Sequence, residues 1–128
     1  MILVDTSAWI EFFRDRGRLS VVVDQLLETD EAAICGPIIT ELRRGLHRPA
    51  ERSKVLPLLQ SCCCLEQPTR LWDESGELGC LLARKGVTVK SLDLLIATYA
   101  LSHGVAILSA DTDFSLMRRA GLHLQLAD

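Results

Sequence analysis

The sequence predicts an α/β fold built on a parallel sheet, and three observations predict it. Short apolar runs of strand length alternate with longer stretches of helical period from one end of the chain to the other. Glycine, proline and capping residues stand at the junctions, and there is neither a low-complexity linker nor an internal repeat. The chain has 128 residues, 48% of them hydrophobic and 24% charged, which is a single-domain length with an ordinary globular composition.

Taken in order, Ile2 to Val4 is a short buried strand that runs into Asp5. Ser7 opens a helix through Phe13, Gly17 closes it, and Leu19 to Glu28 continues as a second helix. Ala32 to Cys35 is the second strand. Pro37 suits the first position of the next helix, which runs to Gly45 as its stop. A further helix spans Ala50 to Gln60, Cys62 to Leu65 is a third strand bounded by Pro68, and a long helix covers Arg70 to Lys85 until Gly86. Ser91 caps a very apolar helix from Leu92 to Ser102 that Gly104 ends, and Val105 to Leu108 is the fourth strand. The last helix begins near Asp111, Gly121 closes it, and Leu122 to Leu126 is a final strand. Strands joined by helical crossovers imply one sheet covered on both faces, with ligands bound at the carboxyl ends of its strands.

Composition narrows the function. The opening Met1-Ile2-Leu3-Val4 meets Asp5 without a basic leader, and no apolar run approaches membrane-spanning length, so the expectation is a cytoplasmic protein without a membrane role. Cys35, Cys62, Cys63, Cys64 and Cys80 are odd in number and three are consecutive, which reads as buried thiols in a reducing compartment. A zinc site fits poorly, because Cys-x-x-Cys is absent and His47, His103 and His123 lie in unrelated contexts. The net charge of −3 excludes a polycation, although Arg43, Arg44, His47, Arg48, Arg52 and Lys54 crowd one stretch and Arg84, Lys85 and Lys90 another. These clusters suit solvated helix faces as well as a phosphate track.

The acids carry the chemistry. Asp5 directly follows the first strand, where an open sheet presents ligands, and Asp111 stands in the corresponding place after the fourth; each could equally cap the helix behind it. If those two strands are neighbours, the carboxylates face one another across the switch point. Asp93 lies among Leu92, Leu94, Leu95 and Ile96, and a buried carboxylate needs a proton, a cation or a metal. Ala97 and Ala100 follow it at helical spacing, leaving space for an ion and a phosphate. Glu41, with Ile38 and Leu42 on the core side, points toward the strand ends. Thr6 and Ser7 supply hydroxyls beside them. Oxygen ligands without cysteine or histidine select Mg²⁺ or Mn²⁺, which suits phosphodiester hydrolysis.

Four segments carry a resemblance: Leu3-Val4-Asp5-Thr6-Ser7-Ala8-Trp9, Ile39-Thr40-Glu41-Leu42-Arg43-Arg44-Gly45, Leu92-Asp93-Leu94-Leu95-Ile96-Ala97 and Asp111-Thr112-Asp113-Phe114. In this order, over nearly the whole chain, they resemble the PIN-domain family, specifically the VapC-type toxins of bacterial type II toxin–antitoxin pairs. The resemblance implies a single domain over residues 1–128, a three-layer α/β/α sandwich with a central parallel sheet related to the Rossmann fold, and endoribonuclease activity with Mg²⁺ or Mn²⁺. It gives Asp5, Glu41, Asp93 and Asp111 the metal-binding and catalytic roles. Thr6 and Ser7 become positioning hydroxyls, and Asp113 an auxiliary acid that either approaches the metal or caps its helix. It also implies a homodimer and a cognate antitoxin that blocks the site. The apolar stripe Leu19, Val22, Val23, Leu26 and Leu27 is a candidate seat for an antitoxin helix, with core packing as the plainer explanation.

Other acid-lined α/β folds fit less well. A haloacid-dehalogenase-type phosphatase needs a second Asp two residues after the nucleophile, where this chain has Ser7, and a receiver needs paired acids after its first strand. The remaining alternative is a non-catalytic PIN-like module that binds RNA or a partner.

Overall fold

A computed structural model describes residues 1–127. The chain runs β1 (Ile2–Val4), α1 (Thr6–Phe13), α2 (Arg18–Glu28), β2 (Ala32–Ile34), α3 (Gly36–Arg44), α4 (Pro49–Ser61), β3 (Cys63–Cys64), α5 (Leu71–Arg84), α6 (Ser91–His103), β4 (Ala106–Leu108) and α7 (Asp113–Arg119). The four strands form one parallel sheet in the order β3-β2-β1-β4. The chain therefore builds outward from β1 through β2 to β3 and returns to the other side of β1 with β4. That reversal makes the junction of β1 and β4 the switch point, where the carboxyl ends diverge and leave a crevice.

β1 is central, so Leu3 and Val4 are fully buried, and the helices cover the sheet around it. α1 packs on α2 and α5 on α6. Trp9 stacks on Phe13 at 5.7 Å between ring centroids, and Phe114, Ile96, Ile107 and Met117 fill the core between the sheet and the later helices. The α5–α6 approach is close enough that a Cβ at Gly79 would come within 2.8 Å of a Leu94 methyl. Gly104 ends α6 in the left-handed region at φ 65°, the conformation glycine adopts without the Cβ penalty.

Several expectations change. Leu122 to Leu126 does not form a strand: only Leu126 bridges Ile107, through Ile107 N–H to Gln125 O at 2.9 Å and Ala127 N–H to Ile107 O at 2.8 Å. The segment meets β4 only at its own end, where Ile107 takes both backbone bonds. Of the five thiols only Cys35 is buried; Cys62 is half-buried, and Cys63, Cys64 and Cys80 are exposed. The reason is that β3 is a two-residue edge strand and Cys80 faces outward from α5. On α2, Leu19, Val23 and Leu26 are buried in the core, so the stripe is spent on packing, and Val21, on the opposite face, is the exposed one.

Candidate metal centre

Asp5 follows β1 and occupies the N-cap position of α1, but its side chain caps nothing there. The helix start is served by its backbone carbonyl, which accepts from Ala8 and Trp9 N–H. The carboxylate, 4% exposed, instead accepts two hydroxyls at Oδ2, from Ser109 at 2.7 Å and Ser7 at 2.9 Å. Each serine oxygen in turn accepts a backbone N–H from the loop after β4, Ala110 to Ser7 and Asp111 to Ser109, both at 2.9 Å. The parallel pairing of β1 with β4 is what brings these two loops together.

Thr6 donates its hydroxyl to Glu41 Oε1 at 2.8 Å, tying α3 to the start of α1. Glu41 is half-buried, with Ile38 and Leu42 turned into the core as their spacing predicts. The hydroxyls of Thr6 and Ser7 thus hold acids.

Asp93 lies in the first turn of α6. Lys90 is the N-cap residue and Ser91 the first helical one, so the predicted serine cap is displaced by one position, and no side chain caps this end. Among the described residues, Asp93, Asp111 and Asp113 each bring a carboxylate oxygen within 4.8 Å of the other two. Asp111 divides its oxygens. Oδ1 accepts the Asp113 N–H at 2.9 Å, the turn that leads into α7, while Oδ2 lies 3.4 Å from Lys90 Nζ. Asp111 therefore gives one oxygen to the turn before α7, whose N-cap position belongs to Thr112, and turns the other toward Lys90. Asp113, expected as an auxiliary acid, belongs to the compact set.

Asp93 is 5% exposed, and its Oδ2 is buried without a hydrogen-bond partner. Lys90 Nζ lies 4.0 Å away, beyond hydrogen-bond range, on a side chain that is 72% exposed. An ion pair that exposed is worth at most about 1 kcal/mol. An unpaired polar group in the interior costs several times more. Burial, a hydrogen bond with Asp113 and the charge of Asp111 push the Asp93 carboxyl up to about 8 against the opposing pull of Lys90, and Asp5 adds to the rise. The acid is thus protonated at neutral pH unless a stronger cation takes its place. A cluster of hard oxygens with one orphaned buried oxygen is the donor set a divalent cation requires. The residues fit such an ion.

Asp5 and Glu41 are not members of that compact set. Asp5 acts on Asp93 through its charge, and Asp5 and Glu41 both act on the thiol of Cys35, which burial pushes up to about 12. Ala97 and Ala100 are 0% and 1% exposed, so they pack into the core and do not line a phosphate channel as their spacing suggested. On the loop side of these acids, Lys90, Ala110 and Thr112 are exposed. Lys90 escaped the sequence reading because it counted there as one of a basic surface group; its position three residues before Asp93 was the available signal.

Comparison with known proteins follows the same residues. A family model described as "PIN domain" matches residues 2–120. The chain is 35% identical over 125 residues to "Ribonuclease VapC11" of Mycobacterium tuberculosis, covering 93% of this chain and 92% of that protein. Among solved structures it is similar to VapBC2 from Rickettsia felis, bound to a DNA fragment from their promoter, with TM-score 0.78, 21% identity and coverage of 99% and 98% of the two chains. It is similar also to a toxin–antitoxin complex from Klebsiella pneumoniae, with TM-score 0.69, 22% identity and coverage of 90% and 91%.

Proposed function

The chain belongs to the PIN-domain family, and from that premise we propose that it acts as a VapC-type endoribonuclease in which Asp5, Glu41, Asp93 and Asp111 serve one metal centre, with Asp113 joining them. The single observation that carries the site is the buried, unpartnered Oδ2 of Asp93 facing Asp111 and Asp113. Mg²⁺ or Mn²⁺ is the cation that a set of carboxylates without thiolate or imidazole selects. When bound, such an ion polarises the phosphodiester and supplies an activated water for hydrolysis.

The chain's own residues do the rest. Ser7 and Ser109 fix the orientation of Asp5 through Oδ2, and Thr6 fixes Glu41, so two acids are set before substrate arrives. Asp111 is held in register by its turn with Asp113 N–H. Burial leaves Asp93 Oδ2 without a hydrogen-bond partner, an oxygen available to a cation that displaces the proton. RNA is the substrate, reaching the site from the exposed loop side.

The reading extends to one PIN domain over residues 1–128, a cognate antitoxin that covers the site, and a homodimer. The similarity to toxin–antitoxin complexes supports the antitoxin, and exposed Trp72 and Leu81 on α5 offer apolar surface for assembly. Exposed Cys63, Cys64 and Cys80, all free thiols, favour the reducing cytoplasm. No helix among the described residues is long and apolar enough to cross a membrane.

The test is cleavage of an RNA pool by the purified chain with Mg²⁺ or Mn²⁺, with EDTA, and with Asp93→Asn. Loss of an outer partner of a metal site costs 10–100-fold, so loss of a ligand should cost at least about 100-fold. Chelation should abolish cleavage and added Mn²⁺ restore it. Cleavage that survives both EDTA and Asp93→Asn would leave the acids without this role.

A further inference from the structure

Lys90 is a basic side chain that reaches the acids. Its ammonium lies 3.4 Å from Asp111 Oδ2 and 4.0 Å from Asp93 Oδ2, while the side chain remains 72% exposed. The backbone beneath it is fixed: Lys90 is the N-cap residue of α6, and its carbonyl accepts the Leu94 N–H at 3.2 Å. A tethered cation thus sits at the mouth of the centre, between the two carboxylates and the solvent side from which RNA would come.

Two geometric consequences follow. An ammonium bonded to Asp111 and 4.0 Å from Asp93 occupies part of the electrostatic position a divalent cation would take, so the two compete. An ammonium held there also lies within reach of any phosphate gathered at the same carboxylates. It is a compact point charge on a flexible stem, able to change partners without moving the backbone. The start of α6 adds unpaired N–H groups that favour an anion on the same side.

We propose that Lys90 is a substrate-binding residue of this centre: it rests on Asp93 and Asp111 in the metal-free chain and turns to the scissile phosphodiester of RNA once those acids engage a divalent cation. This inference rests on the nuclease reading above.

The test compares wild type, Lys90→Gln and Lys90→Arg in two measurements. The first is Mn²⁺ affinity by calorimetry without RNA. Removing the resident ammonium should tighten Mn²⁺ binding by about 3- to 10-fold in Lys90→Gln, as expected for loss of one nearby like charge on a side chain so exposed that the dielectric around it approaches that of water. The second is cleavage of a short RNA at saturating Mn²⁺. A charge-assisted phosphate contact predicts that KM rises about 10-fold or more in Lys90→Gln with kcat little changed, and that Lys90→Arg recovers most of the loss. A merely structural role would shift melting temperature and leave this KM-against-kcat split and the rescue absent.

Unchanged KM in Lys90→Gln, or Mn²⁺ binding that weakens, overturns the role of Lys90 while wild-type cleavage stands. A wild-type chain that takes up Mn²⁺ yet cleaves no RNA overturns the nuclease reading itself, and the phosphate role with it.

Discussion

Asp5 and Glu41 are held by hydroxyls, from Ser7 and Ser109 to one and from Thr6 to the other, at 2.7 to 2.9 Å. Asp93, Asp111 and Asp113 face chiefly one another and an exposed ammonium. The first group is satisfied by the protein's own donors, and in the second Asp93 Oδ2 is not. A buried hydrogen-bonded carboxylate adds to the stability of the fold, whereas a buried acid crowded by like charges subtracts from it until a cation arrives. The contrast teaches that one side of the crevice is oriented in advance by hydroxyls and the other is left for a cation to satisfy, although all five residues are acids.

That contrast is broken most severely by comparing stability with activity. Asp5→Ala and Asp93→Asn should each reduce RNA cleavage by at least about 100-fold. Their metal-free stabilities should diverge. Asp5→Ala leaves the hydroxyls of Ser7 and Ser109 without their shared acceptor and should cost about 1–3 kcal/mol, a fall of several degrees in melting temperature. Asp93→Asn replaces an acid already protonated at neutral pH by a neutral side chain of the same shape, so its melting temperature should hold or rise. Thermal unfolding in EDTA measures both; equal losses would dissolve the distinction.

A second way to sharpen it is pH. Asp93 titrates near 8 in the folded chain against an ordinary value of 3.8. Between those limits the folded chain keeps a proton that the unfolded chain has released, so metal-free stability falls as pH rises from about 4 to about 8 and levels off above. A divalent cation must displace that proton. Its apparent affinity should therefore climb with pH, by up to about tenfold per unit, and flatten above about 8. Mn²⁺ calorimetry from pH 6 to 9 checks the slope, and Asp93→Asn should remove the part of it that this proton supplies. A flat profile in wild type would mean that Asp93 is already ionised in the empty centre.

The positions of Asp5 and Asp111 were legible in the sequence because both follow short apolar strands, and strand ends in a parallel sheet are where ligands gather. Asp93 was legible for its apolar neighbours. What the sequence hid is contact geometry. Nothing in the run from Ser109 to Asp113 announces that Ser109 will bond Asp5, 104 residues away, or that Asp111 will give one oxygen to a turn and the other to Lys90. The small-residue face of α6 misled in the opposite direction, since Ala97 and Ala100 serve close packing. Gly45 shows the same limit in the fold: it stops α3 as expected but at φ −89°, a conformation open to any residue. Periodicity finds elements and the faces they bury; which polar atom meets which is settled by the crossing of distant loops.

The smallest effect belongs to the hydroxyl that holds Glu41. Thr6→Val keeps the β-branched shape in the first turn of α1 and removes the donor 2.8 Å from Oε1. Glu41 is half-buried, so water can replace part of the lost bond, and the cost in stability should be about 1 kcal/mol or less. Activity should fall by about 10-fold, because a freely rotating Glu41 must be ordered again whenever the centre is loaded. Thr6→Ser, which restores the hydroxyl without the methyl, should recover most of that loss. If Thr6→Val cleaves RNA as wild type does, Glu41 needs no orienting partner, and the satisfied half of the crevice is scaffold in packing alone.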